Sequence, residues 1–171
     1  WIALQSSRPD LPWTFAVLDD KGFNAFAAPG GYVLITRGLI DRVADESELA
    51  GILAHEITHV TARHHLKAMN QSARSALGAQ LLAQAAAQKV NNSIGKSLSA
   101  QVVALGRDVY SRGLDQGDEL EADRQGVYLA ARAGFDPFGL VAVLQQLRTA
   151  APDNPMFAFT LSTHPPAQTR L

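Results

Sequence analysis

Short apolar runs bounded by turn-forming residues mark the N-terminal part of the chain as β. Thr14, Phe15, Ala16, Val17 and Leu18 predict a strand ended by the cluster Asp19, Asp20, Lys21 and Gly22. Asn24, Ala25, Phe26 and Ala27 form a second extended run, and Tyr32, Val33, Leu34, Ile35 and Thr36 a third. Pro29, Gly30 and Gly31 between these two predict a hairpin turn.

From Asp45 the spacing becomes helical. Leu49, Ile52, Leu53, Ile57 and Val60 recur three and four apart, which predicts one buried stripe on a helix over 45–69. Asp45 followed by Glu48 resembles a capping box at its start. Residues 70–112, rich in Ala, Gln and Ser, predict one or two helices broken at Asn91, Asn92, Ser93, Ile94 and Gly95. Composition favours a surface helical hairpin there over a lid on a cleft. A further helix is expected over 118–133, stopped by Gly134. Asp136 and Pro137 open another over 138–149, and 151–155 reads as a loop before an irregular tail. The fold class is α+β and predominantly helical.

Length and composition narrow the picture further. The 171 residues, 47% hydrophobic and 18% charged, fit one folded domain over 1–171. A net charge of -1 and the lack of a basic run give no reason to expect a nucleic-acid partner. No apolar run is long enough for a transmembrane segment. The nearest candidate, 75–90, is interrupted by Gln80, Gln84, Gln88 and Lys89. The absence of cysteine leaves His and carboxylates as the donors for any metal. A start at Trp1 reads as a trimmed piece of a longer chain.

His55, Glu56, Ile57, Thr58 and His59 spell H-E-x-x-H within the predicted helix. Residues four apart lie nearly above one another, so His55 and His59 present two imidazoles to one point. That is what a tetrahedral zinc requires of two ligands. Glu56, one step round the helix, is the expected general base toward a water.

A catalytic zinc needs a third protein donor. His65 follows His59 at the spacing used by proteases that break the helix with glycine, but Ala62 stands at that position. On an unbroken helix His65 points about 120° from His59, so His64 and His65 read as surface histidines. The better candidates are Glu119 and Asp123, four apart on one helical face. One carboxylate can ligate zinc while the other accepts the free ring N–H of a ligating histidine. Glu121, about 200° round from Glu119, should face elsewhere.

Asn24, Ala25, Phe26 and Ala27 with Pro29, Gly30 and Gly31, then HEITH, then Glu119, Glu121, Ala122 and Asp123, then Thr163, His164, Pro165 and Pro166 with Arg170, together resemble peptidase family M forty-eight. The resemblance covers the chain from Asn24 to Arg170 in order and spacing. It implies a gluzincin fold, with a small N-terminal sheet beside the HEITH helix and a glutamate supplied by a second helix. It implies one zinc per chain on His55, His59 and Glu119, Glu56 as base, and Asp123 supporting a ligand from outside. The nearest likeness is to the soluble periplasmic BepA-like branch, since the transmembrane helices of other members are absent. That branch implies a periplasmic location, a polypeptide substrate and envelope protein quality control. It also implies a helical-repeat domain or an envelope protein as partner outside this chain.

The expected function is therefore a zinc-dependent endopeptidase. The rival expectations are a zinc-site chaperone or binding module with little or latent proteolysis, and a non-proteolytic zinc hydrolase. Asn24, Ala25, Phe26 and Ala27 are candidates to pair with substrate backbone as an added strand. His164, held extended by Pro165, has two candidate roles beside a plain turn residue. It can donate to the oxyanion, or occupy the open fourth zinc position as a latch.

Overall fold

The computed structural model describes residues 1–86 and 113–149, together with Phe157, Thr160, His164 and Arg170. After a short 3-10 helix at Ile2–Gln5, the chain lays down β1 (Thr14–Leu18), β2 (Ala25–Ala28) and β3 (Tyr32–Thr36). The sheet order is β1-β3-β2. β2 and β3 are antiparallel, pairing Ala25 with Ile35 and Ala28 with Tyr32, as the predicted hairpin requires. The turn between them uses Gly30 at φ 101 and Gly31 at φ 97, a region that side chains with a Cβ rarely enter. β1 runs parallel to β3, so the N-terminal strand lies on the sheet's other edge.

Thr36 ends β3 and caps the short α1 (Arg37–Ile40), its side chain accepting from Leu39 N. Next comes α2 (Glu46–Thr61). The Asp45 carboxylate accepts from Ser47 N at 2.8 Å and Glu48 N at 2.9 Å, satisfying two donors that the first turn leaves open. Glu48 completes the start by reaching back to Ala44 N at 2.8 Å, with Gln146 Nε2 donating to its other oxygen.

α2 is more deeply placed than one apolar stripe predicts. Ala50, Gly51 and Ile52 are buried, and so is every residue from Ala54 to Val60. β2 lies against one side of it, and α4 (Gln116–Arg132) and α5 (Gly139–Thr149) against others. Two apolar clusters flank it. Phe23, Ile52, Leu140 and Leu144 belong to one, and Val33, Ala54, Ile57 and Leu129 to the other. Removing a side chain such as Ile57 from water stabilises the fold by about 1.5–3 kcal/mol, and these clusters hold α2 rigidly.

Two glycines allow backbones to meet. A Cβ on Gly139 would lie 2.1 Å from Ser47 O, so α5 can start against α2 only without a side chain there. A Cβ on Gly126 would lie 3.0 Å from His55 N, so α4 crosses α2 directly at the first histidine of HEITH. Gly126, Asp123 and Glu119 fall on one face at spacings of three and four. The crossing therefore aims both carboxylates at the histidines.

The helix predicted over 45–69 is broken. α2 ends at Thr61, Ala62 caps it, and Arg63 adopts φ 61, a left-handed conformation that redirects the chain. α3 (His64–Ala86) begins immediately after. The expected break near Asn91, the loop over 151–155 and most of the tail lie outside the described residues. No described helix is long and apolar enough to cross a membrane.

Candidate metal centre

His55 and His59, one turn apart on α2, bring their Nε2 atoms to 2.9 Å. Glu119 enters from α4, with Oε1 3.4 Å from His59 Nε2 and Oε2 3.6 Å from His55 Nε2. His164 closes the group from the tail, its Nδ1 2.8 Å from Glu119 Oε2. Donor atoms of His55, His59, Glu119 and His164 all lie within 4.8 Å of one another.

These spacings fit a tetrahedral ion. Metal–nitrogen bonds of about 2.0–2.1 Å set donor atoms about 3.3–3.4 Å apart, and the observed separations bracket that value. A second observation agrees: Glu119 is fully buried, yet its Oε1 has no hydrogen-bond partner among the described residues. A buried carboxylate oxygen without a donor needs a positive partner, and a cation between the histidines would supply it.

His55 is gripped from behind. Its Nδ1 lies 3.0 Å from Asp123 Oδ1. Arg170 binds the same carboxylate at two points, Nε to Oδ2 at 2.8 Å and Nη2 to Oδ1 at 2.6 Å. Arg170 Nη1 also stands 3.4 Å from Glu119 Oε2. One guanidinium thus steadies the carboxylates of Asp123 and Glu119 on α4.

The charges are tuned by burial and neighbours. Burial raises the Glu56 pKa, opposed in part by His55 and His164. Burial also pushes Glu119 upward, but His164 and His55 override it and hold the carboxyl below its usual range. Asp123 likewise resists burial because Arg170 and His55 favour its anion.

The sequence-predicted residues meet around one cleft. Glu56 is buried beside the ligand pair, with Oε1 4.0 Å from His164 Nε2. Asn24 and Ala25 line the same cavity as His55, Glu56 and His164. Asn24, Ala25 and Ala27 are buried and Phe26 is half-buried. Thr160 donates to Phe23 O and to Asn24 Oδ1, joining the tail to the start of β2. Glu121 turns outward from Glu119, as its position on the helix predicts.

Two expectations fail. His64 and His65 are not surface residues: His64 is fully buried and His65 is 9% exposed. Their expected exposure assumed an unbroken helix, and the reversal at Arg63 turns both inward. His65 comes within 5.6 Å of the His59 ring, centroid to centroid, yet stays outside the four-donor group. Arg170 was given no role from the sequence. A lone arginine has no periodicity to locate it, and only the family resemblance points to it.

The model of Peptidase family M48 matches residues 2–171. The chain is 36% identical to the β-barrel assembly-enhancing protease of Yersinia pestis, covering 94% of this chain and 33% of that protein. It is 35% identical to the β-barrel assembly-enhancing protease of Escherichia coli K12, with the same coverage of 94% and 33%. It is 29% identical to the mitochondrial metalloendopeptidase OMA1 of Arabidopsis thaliana, over 98% of this chain and 32% of that protein. The chain spans about a third of the length of these relatives. With the family model matching almost every residue, the chain belongs to Peptidase family M48.

Proposed function

We propose that the chain is a zinc endopeptidase in which His55, His59 and Glu119 hold the metal and Glu56 is the general base. The observation that carries this reading is the fully buried Glu119 Oε1, unpartnered among the described residues and 3.4 Å from His59 Nε2, which itself lies 2.9 Å from His55 Nε2. Zinc fits this mixed nitrogen and carboxylate donor set and, when bound, supplies Lewis-acid activation of water and of the scissile carbonyl, bringing the water pKa to about 7.

The protein's residues perform the remaining steps. Glu56, with its pKa raised by burial, accepts the proton of the attacking water and delivers it to the leaving amine. Asp123 accepts from His55 Nδ1–H and fixes the ring with Nε2 toward the metal. β2 forms the sheet edge beside α2, and residues 24–27, at its start, guide an extended peptide past Glu56.

His164 acts as a latch in this account. Its donor nitrogen belongs to the same 4.8 Å group as the three ligands, where a fourth ligand excludes water. The enzyme is then latent until the tail moves. Unfolded or misassembled β-barrel proteins in the periplasm are the proposed substrates, in keeping with the names of the Yersinia pestis and Escherichia coli relatives.

Metal analysis and casein hydrolysis test this, using wild type and His164→Ala before and after chelation. One zinc per chain, and hydrolysis lost on chelation and restored by zinc, support the protease. Equal suppression of casein aggregation by both forms, with no cleavage, would instead identify a chaperone.

A further inference from the structure

Outside the four-donor group, His64 Nε2 is a buried polar atom without a hydrogen-bond partner among the described residues. The side chain is fully buried, carried inward by the left-handed turn at Arg63. Its Nδ1 lies 2.9 Å from Nδ1 of His59. Its Nε2 faces Asp118 Oδ1 at 3.5 Å and Glu121 Oε2 at 3.6 Å.

A link between two Nδ1 atoms holds one proton, and each neutral ring carries one. His59 Nε2 faces the metal centre, so a cation there takes that lone pair and leaves the His59 proton on Nδ1. His59 then donates and His64 Nδ1 accepts. His64 must in turn carry its own proton on Nε2, the nitrogen that faces the two carboxylates. We propose, resting on the metallopeptidase reading above, that His64 is a positioning residue for His59: it fixes the ligand's tautomer and ring angle, with Asp118 and Glu121 steadying the far N–H.

The same three side chains present another possibility. Donor atoms of His64, Asp118 and Glu121 lie within 4.8 Å of one another, close enough on spacing alone to hold a second metal. The proton decides against it. A metal on His64 Nε2 would force the His64 proton onto Nδ1, so His59 Nδ1 would have to accept. The His59 proton would then sit on Nε2, where the first metal needs a lone pair. The two occupancies compete, and the His59 site has three further donors of its own where the His64 cluster has two.

The test uses full-length protein and zinc affinity measured by chelator competition. His64→Leu removes the acceptor, whereas His64→Asn keeps an oxygen near the Nδ1 position. The zinc dissociation constant should rise about 10–100-fold for His64→Leu and stay within about threefold for His64→Asn. Wild-type affinity in a folded His64→Leu overturns the assignment. So does a wild type that binds two zinc ions per chain where His64→Leu binds one, since the cluster would then be a metal site. If His64→Leu does not fold, long-range proton–nitrogen correlation spectra of labelled wild type decide. With zinc bound, the His64 proton should be on Nε2, and a proton on Nδ1 instead overturns the proposal. A folded wild type that binds no zinc would remove the metallopeptidase reading itself, and the His64 role with it.

Discussion

Arg170 Nη2 lies 2.6 Å from Asp123 Oδ1, the same oxygen that stands 3.0 Å from His55 Nδ1. The tail of the chain is thereby coupled to the first histidine of HEITH through one carboxylate. All three side chains are buried, so water cannot replace a lost partner.

Arg170→Met should therefore cost about 3–5 kcal/mol of stability, the usual penalty for leaving a buried charge unpaired. Asp123→Ala should lower zinc affinity or activity about 10–100-fold while the fold survives. Urea unfolding and chelator competition measure the two effects. A collapsed circular dichroism spectrum in Asp123→Ala would make that residue structural instead.

Gly126→Ala tests the helix crossing. The new Cβ would press on the backbone of His55, which has no flexible end to yield. Overpacking of this kind costs about 1–3 kcal/mol. Because Glu119 and Asp123 ride on the same helix, zinc affinity should fall together with stability. Stability lost with affinity unchanged would show that α4 can shift without moving its carboxylates.

Arg63→Gly should stabilise the protein by about 0.5–1 kcal/mol. It relieves a left-handed residue worth about 1–2 kcal/mol and gives back part of that as chain entropy. Arg63→Ile should destabilise, since a β-branched residue is least tolerated there. Unfolding midpoints of the two variants, compared with wild type, check the direction of each.

The legible parts of this molecule are those with a period. Short apolar runs and turn residues locate the three described strands, and the spacings of 55, 59, 119 and 123 place the proposed metal donors and the carboxylate behind His55 on two helices. Arg63 was not legible, because a left-handed arginine leaves no mark in composition where glycine would have. The burial of His64 and His65 is hidden for that reason, since an angle counted along an ideal helix fails past the break. The parallel pairing of β1 with β3 is also silent in sequence, since β1 is exposed along its whole length and carries no buried face to set its place. Arg170 acts through a long-range contact with Asp123, which no local pattern encodes.

His164→Ala separates the latch from the oxyanion donor. Opening the fourth position should raise basal peptide hydrolysis, read as initial rates on casein under saturating zinc. A fall of roughly 100–1000-fold would instead assign His164 to the oxyanion. Unchanged rates with zinc retained would leave it a turn residue.

The central claim is that Glu56 moves the proton while His55, His59 and Glu119 hold the metal. Its most direct test is the turnover of zinc-loaded His164→Ala protein with and without Glu56→Gln, alongside zinc content. The account predicts one zinc per chain in both forms and turnover lowered by about 100–10,000-fold in the double variant. Equal turnover in both, with zinc still bound, would contradict it.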